Sequence, residues 1–93
     1  MKVNFNQPLK NLDGSPIKDG DKAITLKDVC ANALLAVEEK ADGKVKLENW
    51  TLAQLVYKGG ELDLTAEQVV KIKDMVAKSY TTLVVGQVLE ILK

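Results

Sequence analysis

The chain lacks histidine altogether, and Cys30 is its only cysteine in 93 residues. Histidine is the usual acid or base near neutral pH, and structural zinc sites take their four ligands mostly from cysteine and histidine. A single thiol cannot close an internal disulfide bond, and no phosphate-binding or serine nucleophile motif occurs. These absences predict a chain with no metal site, no cofactor and no enzymatic activity, whose fold rests on packing.

Long apolar runs and an excess of either charge are also missing. No segment approaches the ~20 apolar residues of a membrane-spanning helix, and the first six residues, MKVNFN, lack the apolar core of a signal peptide. Thirteen basic residues balance thirteen acidic residues, so no overall field attracts nucleic acid phosphates. We therefore expect a cytoplasmic protein without membrane contact, and binding to nucleic acid is disfavoured.

The first 24 residues have the composition of strands and turns. Both prolines lie here, Val3 and Phe5 alternate with polar neighbours, and Asp13-Gly14 is a common turn dipeptide. We predict a small hairpin in which the strand containing Val3 and Phe5 reverses at this dipeptide toward Ser15-Pro16-Ile17. A second turn follows over residues 18–22 and leads into the first helix.

Polar residues at alternating positions in this region suggest a comparison with a calcium-binding loop: Asn11, Asp13, Ser15 and Asp19. Such a loop needs glycine at its sharp turn and a bidentate glutamate at its end. This chain has Pro16 and Lys22 at those positions. We therefore interpret the segment as a polar turn.

Helical periodicity begins at Thr25. Thr25 can cap the helix, and Asp28 follows at a position where a carboxylate favours the positive helix end. Apolar residues then recur with the spacing of one helix face: Leu26, Val29, Cys30, Ala33, Leu34 and Val37. Because Cys30 lies within this stripe, we predict a buried thiol that packs as a small apolar side chain.

A second helix is predicted from about Lys44 to Lys58, between the breaks at Asp42-Gly43 and Gly59-Gly60. Its apolar or amphipathic members are Leu47, Trp50, Leu52, Leu55, Val56 and Tyr57. Trp50 is the only tryptophan. Its ring is either buried in the core or partly exposed as an anchor for a partner.

Two more helices are predicted in the last third of the chain. The third starts with a capping box formed by Thr65 and Gln68, and Leu64 is placed to pack against Val69. The fourth runs from Leu83 to Leu92 and has an apolar arc of about 160°. Its members are Val84, Val85, Val88, Leu89, Ile91 and Leu92. A helix with such an arc is either packed centrally among the other elements, or part of its apolar face is an interface with another subunit or partner.

Three segments resemble a family of small proteins encoded in phages and prophages: residues 9–17 (LKNLDGSPI), 25–35 (TLKDVCANALL) and 80–90 (YTTLVVGQVLE). The resemblance spans most of the chain. Because that family has no assigned biochemical activity, the resemblance implies a bacterial cytoplasmic setting during infection or lysogeny. It transfers no functional residue to this chain.

The patterns predict a single α+β domain over residues 1–93 that is mostly α. A short N-terminal β-hairpin (1–24) precedes about four helices (25–93) packed around one core. For function we predict a non-enzymatic protein-protein interaction or assembly accessory protein that self-associates. Its candidate interface residues are Trp50, Val85, Leu89 and Leu92. The alternative is a nucleic-acid-associated accessory factor in phage replication or gene control, with candidate contacts at Lys71, Lys73 and Lys78.

Overall fold

The fold is mostly helical, with short antiparallel strand pairs near the N-terminus. A computed structural model describes residues 1–36 and 40–93. Within these residues the elements follow in the order β1 (Lys2–Asn4), β2 (Lys18–Asp19), β3 (Lys22–Ala23), α1 (Leu26–Leu35), α2 (Gly43–Tyr57), β4 (Glu61–Asp63), α3 (Ala66–Ser79) and α4 (Thr82–Ile91). The predicted class, a mostly α protein with an N-terminal hairpin and four helices, is confirmed.

The first strand pairs with a distant segment, which corrects the sequence prediction. β1 lies antiparallel to β4, with Val3 opposite Leu62. We expected it to pair with Ser15-Pro16-Ile17 across the Asp13-Gly14 turn. That turn does reverse the chain, but the returning segment meets residues 9–10 instead: Ile17 N–H donates to Leu9 O at 3.0 Å, and Lys10 bridges Pro16.

The predicted second turn is a tight hairpin. β2 and β3 pair antiparallel, with Asp19 opposite Lys22. Gly20 lies between them with φ of +65°, a backbone conformation that glycine adopts without the steric cost of a Cβ. The hairpin leads into α1 as expected.

Side-chain caps fix the starts of two helices where the sequence placed them. The Asp28 carboxylate accepts from both Thr25 N–H (3.0 Å) and the Thr25 hydroxyl (2.9 Å) at α1. At α3, Gln68 N–H donates to Thr65 Oγ1 (3.2 Å), and Thr65 N–H donates to Gln68 Oε1 (2.9 Å). Each arrangement satisfies backbone groups that a helix end leaves unpaired, so the helices begin at these residues.

The second helix begins and ends close to the predicted residues. Asp42 caps it by accepting from Lys44 N–H at 3.2 Å. After Tyr57 the chain turns through Gly59 and Gly60, each with φ of +74°. A Cβ at Gly59 would also displace the end of the Asn6 side chain, but it is the positive φ at both positions that favours glycine in this turn.

One apolar core joins all four helices with the N-terminal segment. Six of the ten residues of α1 are buried, and α1 packs against both α2 and α3. Phe5 is fully buried, and its backbone joins the turn after α2 to the start of α1. Phe5 N–H donates to Gly60 O (2.8 Å), and Phe5 O accepts from Lys27 N–H (3.0 Å). Of the predicted α1 stripe, Val37 lies outside the described residues, as do Glu38 and Glu39.

Candidate protein interaction surface

α2 exposes most of the apolar or amphipathic residues that the sequence analysis lists for it. Of the six predicted members, only Leu52 and Val56 are buried. Leu47, Trp50, Leu55 and Tyr57 are exposed. The reason is that α2 buries a single face, formed by Asn49, Leu52, Ala53 and Val56. Trp50 and Tyr57 project about 100° away from the centre of that face on a helical wheel.

Trp50 and Tyr57 border a groove between α1 and α2, which we call the α1–α2 groove. Its rim is formed by Leu35, Trp50 and Tyr57, with exposed fractions of 51%, 51% and 58%. Its floor contains Ala31 and Ala53, both 3% exposed. Large half-exposed side chains around small buried ones leave an apolar recess of about 460 Å³ on the surface.

Two contacts show that the helices bordering the groove run antiparallel. The Lys27 ammonium lies 5.3 Å from the centre of the Tyr57 ring, so the start of α1 meets the end of α2. Asn49 Nδ2 donates to Leu34 O at 3.3 Å, so the end of α1 meets the middle of α2. Trp50 and Tyr57 lie two helical turns apart on α2, which is about 10 Å along the groove.

The charges beside the groove are positive. Lys58 lies in its lining and Lys27 stands over Tyr57 at the same end. The remaining polar lining residues are Asn32 and Gln54, and no acidic residue contributes among those the structure describes. Neither lysine forms an ion pair within the described part of the chain. The groove therefore combines an apolar centre with a basic end.

Asn49 is a buried polar residue that the sequence prediction missed. It is 2% exposed, and its Oδ1 has no hydrogen-bond partner among the residues that the structure describes. It lines a recess with Lys71, Met75 and Lys78, where the Lys71 ammonium is held by Glu48 Oε2 at 3.1 Å. Its spacing from Leu52, Ala53 and Val56 is the pattern that could have revealed it, because all four share one helix face. Its amide group joins α2 to the end of α1.

The outer side of α4 carries a second apolar area, which we call the α4 surface: Leu12, Leu83 and Gly86 line a shallow recess, and Leu89 is exposed on the same helix. Gln87 holds the N-terminal loop against it, because its side chain accepts from Lys10 N–H (2.8 Å) and donates to Lys10 O (2.7 Å). This loop presents Leu12, which is 98% exposed, and Leu89 is 37% exposed. Val85 is partly buried against the core.

Leu92 is fully buried, so it belongs to the core and we no longer assign it to an interface. Among the residues of α4 itself, only Val88 is buried. α4 packs against α3 at the edge of the helical layer. Its broad apolar arc is therefore only partly covered: Val84, Val85 and Ile91 are partly buried against the core, whereas Leu89 is exposed.

The three lysines of the nucleic acid alternative do not form one patch. Lys71 and Lys78 line the Asn49 recess, and Lys71 is engaged by Glu48. Lys73 projects about 200° around α3 from Lys71. The structure therefore gives no specific support to this alternative on α3.

Cys30 is fully buried, and burial raises the pKa of its thiol to about 12 because a thiolate there would lose its hydration.

Across residues 1–36 and 40–93, no cluster of acidic, cysteine or histidine side chains could hold a metal ion, and no helix is long and apolar enough to span a membrane. Comparisons with protein-family models, curated proteins and solved structures found no match. The surfaces themselves therefore carry the functional argument.

Proposed function

We propose that this chain is a small non-enzymatic protein that binds another protein through the α1–α2 groove. Copies of it associate through the α4 surface, and the protein acts as an accessory in phage assembly. The observation that carries the proposal is the half exposure of Leu35, Trp50 and Tyr57 around the buried Ala31 and Ala53.

Tryptophan and tyrosine contribute disproportionately to binding energy at protein interfaces, particularly where they surround a pocket that a partner fills. Contiguous exposed apolar groups on a small protein commonly mark an interaction site. The fully buried Phe5, Leu26, Leu34 and Ile72 supply the core without Trp50. Packing of the core therefore does not depend on Trp50, whose ring is half exposed at the surface.

Self-association is supported by the α4 surface. Gln87 anchors the backbone of the loop at Lys10, which places the exposed Leu12 beside Leu83 and Gly86. A loop whose backbone is already anchored loses less conformational freedom on binding than a free loop does. An added Cβ at Gly86 would meet nothing within 4 Å, so this part of α4 is open to a second copy.

Site-specific photo-crosslinking tests both surfaces in one experiment. A photoreactive side chain is placed at position 50 or 89, and at the exposed Lys18 of the hairpin as a control. In cells of the organism whose genome encodes the protein, we expect the probe at position 50 to crosslink to one other protein. Position 89 should capture a second copy of the chain, and position 18 should give neither adduct, because crosslinking requires contact.

The outcomes separate the parts of the proposal. Failure of position 50 to capture any protein, or the same adducts at position 18, would contradict binding through the groove. An adduct at 50 with none at 89 would leave the groove in place and refute self-association. The phage setting is tested by gene order, since neighbouring structural genes support assembly whereas neighbouring replication genes favour the nucleic acid alternative.

A further inference from the structure

We infer that the partner of the α1–α2 groove is an amphipathic helix of another protein, with a leucine-type apolar stripe and carboxylates at the end that meets Lys27 and Lys58. This inference rests on the proposed function and names the chemistry of the partner. It is argued from the shape of the groove and from the charges beside it.

The shape of the groove fits one helix. Its rim is set by Trp50 and Leu35 at one end and by Tyr57 at the other, about two helical turns apart. Ala31 and Ala53 keep the floor low between two antiparallel helices. A third helix laid there could place side chains at i, i+4 and i+7 over the alanines, which is how amphipathic helices bind in apolar grooves.

The charge of the groove selects the partner. Lys27 and Lys58 stand at the Tyr57 end, and no described residue that lines the groove is acidic. The stem of Lys27 passes close to Gly59, so its ammonium is positioned over Tyr57. A partner carboxylate beside these lysines is attracted, whereas a partner lysine is repelled and would lose hydration without compensation.

A second copy of the chain does not supply such a helix. α2 and α3 each carry more lysine than acidic residues, and α1 has one of each. α4 has Glu90 as its single charge. Because none of these helices is strongly acidic, the complementary helix belongs to a different protein.

Two synthetic helical peptides without aromatic residues test the inference. Both have an alanine background and leucines spaced i, i+4 and i+7, one with glutamates flanking the stripe and the other with lysines. Trp50 is the only tryptophan, so its emission reports binding directly. We expect the glutamate peptide to bind about tenfold tighter than the lysine peptide and to shift Trp50 emission to shorter wavelength.

Charge reversal in the protein gives an independent measurement. The double variant Lys27→Glu with Lys58→Glu should reverse the peptide preference. The matched variant Lys73→Glu with Lys78→Glu makes the same change in net charge on α3 and should retain the preference of the wild type. Circular dichroism of each variant shows whether the helices are intact, and the two peptides discriminate charge even in the unmodified protein.

Equal binding of both peptides, or no change in Trp50 emission with either, would overturn the inference. A shift produced by single-stranded DNA and not by the glutamate peptide would also overturn it, because aromatic rings beside lysines can stack on bases. Neither result removes the proposed function. That fails separately, when position 50 captures no protein in the crosslinking experiment.

Discussion

Asn49→Asp is expected to destabilise the fold by about 3 kcal/mol at neutral pH. The native amide donates to Leu34 O from a position that is 2% exposed. A carboxylate of the same shape has no hydrogen to donate, so two oxygen acceptors would face each other out of contact with water. Lys71 lies in the same recess, but Glu48 already holds its ammonium group.

The penalty should depend on pH in a defined direction. A protonated Asp at position 49 can donate its hydrogen to Leu34 O, so folding raises the pKa of that side chain above its unfolded value of about 4. The stability deficit is therefore small below that pH and grows as pH rises toward neutrality. Urea unfolding of wild type and variant, monitored by circular dichroism below the unfolded pKa and again at neutral pH, measures the difference in the free energy of unfolding.

Asn49→Leu is the matched control. It removes the donor to Leu34 O but also removes the buried Oδ1, for which the described part of the chain supplies no partner. These effects oppose each other, so we expect a change within about 1 kcal/mol. If the aspartate variant were as stable as the leucine variant at neutral pH, Asn49 could not be buried against the end of α1.

Stability should fall steeply at alkaline pH because of Cys30. Burial raises the pKa of its thiol from 9.0 to about 12. The folded chain therefore keeps the proton while the unfolded chain releases it. The contribution is fully present below the unfolded pKa and is lost as pH rises from 9.0 to about 12. The loss amounts to about 1.4 kcal/mol for each pH unit in this range.

Cys30→Ala isolates this effect from the titration of lysine and tyrosine. At neutral pH the variant should be less stable than wild type, because removing the sulfur leaves space in the core. That difference should narrow as pH rises above 9.0. A difference that is constant with pH would show that the thiol ionises equally in both states, and rapid thiol labelling of the native protein at neutral pH would show that it is accessible.

The sequence predicted the helices because their signals are local. The Thr65 and Gln68 capping box, the α1 stripe and the glycine pair after α2 each act within a few residues. The partner of β1 could not be predicted in this way, because Glu61–Asp63 lies about sixty residues downstream. β4 has 3 residues, of which Leu62 alone is partly buried. So short a polar and apolar alternation cannot be distinguished in the sequence from the turn that precedes it.

The candidate surface was only partly predictable for a related reason. The sequence leaves Trp50 open as either a core residue or an anchor, and the structure places it at the rim of a groove. Leu35 and Tyr57 join it there only because α1 and α2 pack antiparallel, which periodicity within one helix does not specify. Leu89 and Leu92 are both leucines near the end of α4, yet only the packing against the core separates them into exposed and buried.

Acrylamide quenching of Trp50 fluorescence tests the central claim most directly, because this ring is the chain's only tryptophan and forms the groove rim. In the free folded protein we predict ready quenching, weaker than that of the unfolded chain because the ring is 51% exposed, and protection when the glutamate peptide is added. A Trp50 that is already shielded in the free monomer, with emission typical of an apolar interior, would contradict the account, because the groove would then have no open aromatic rim.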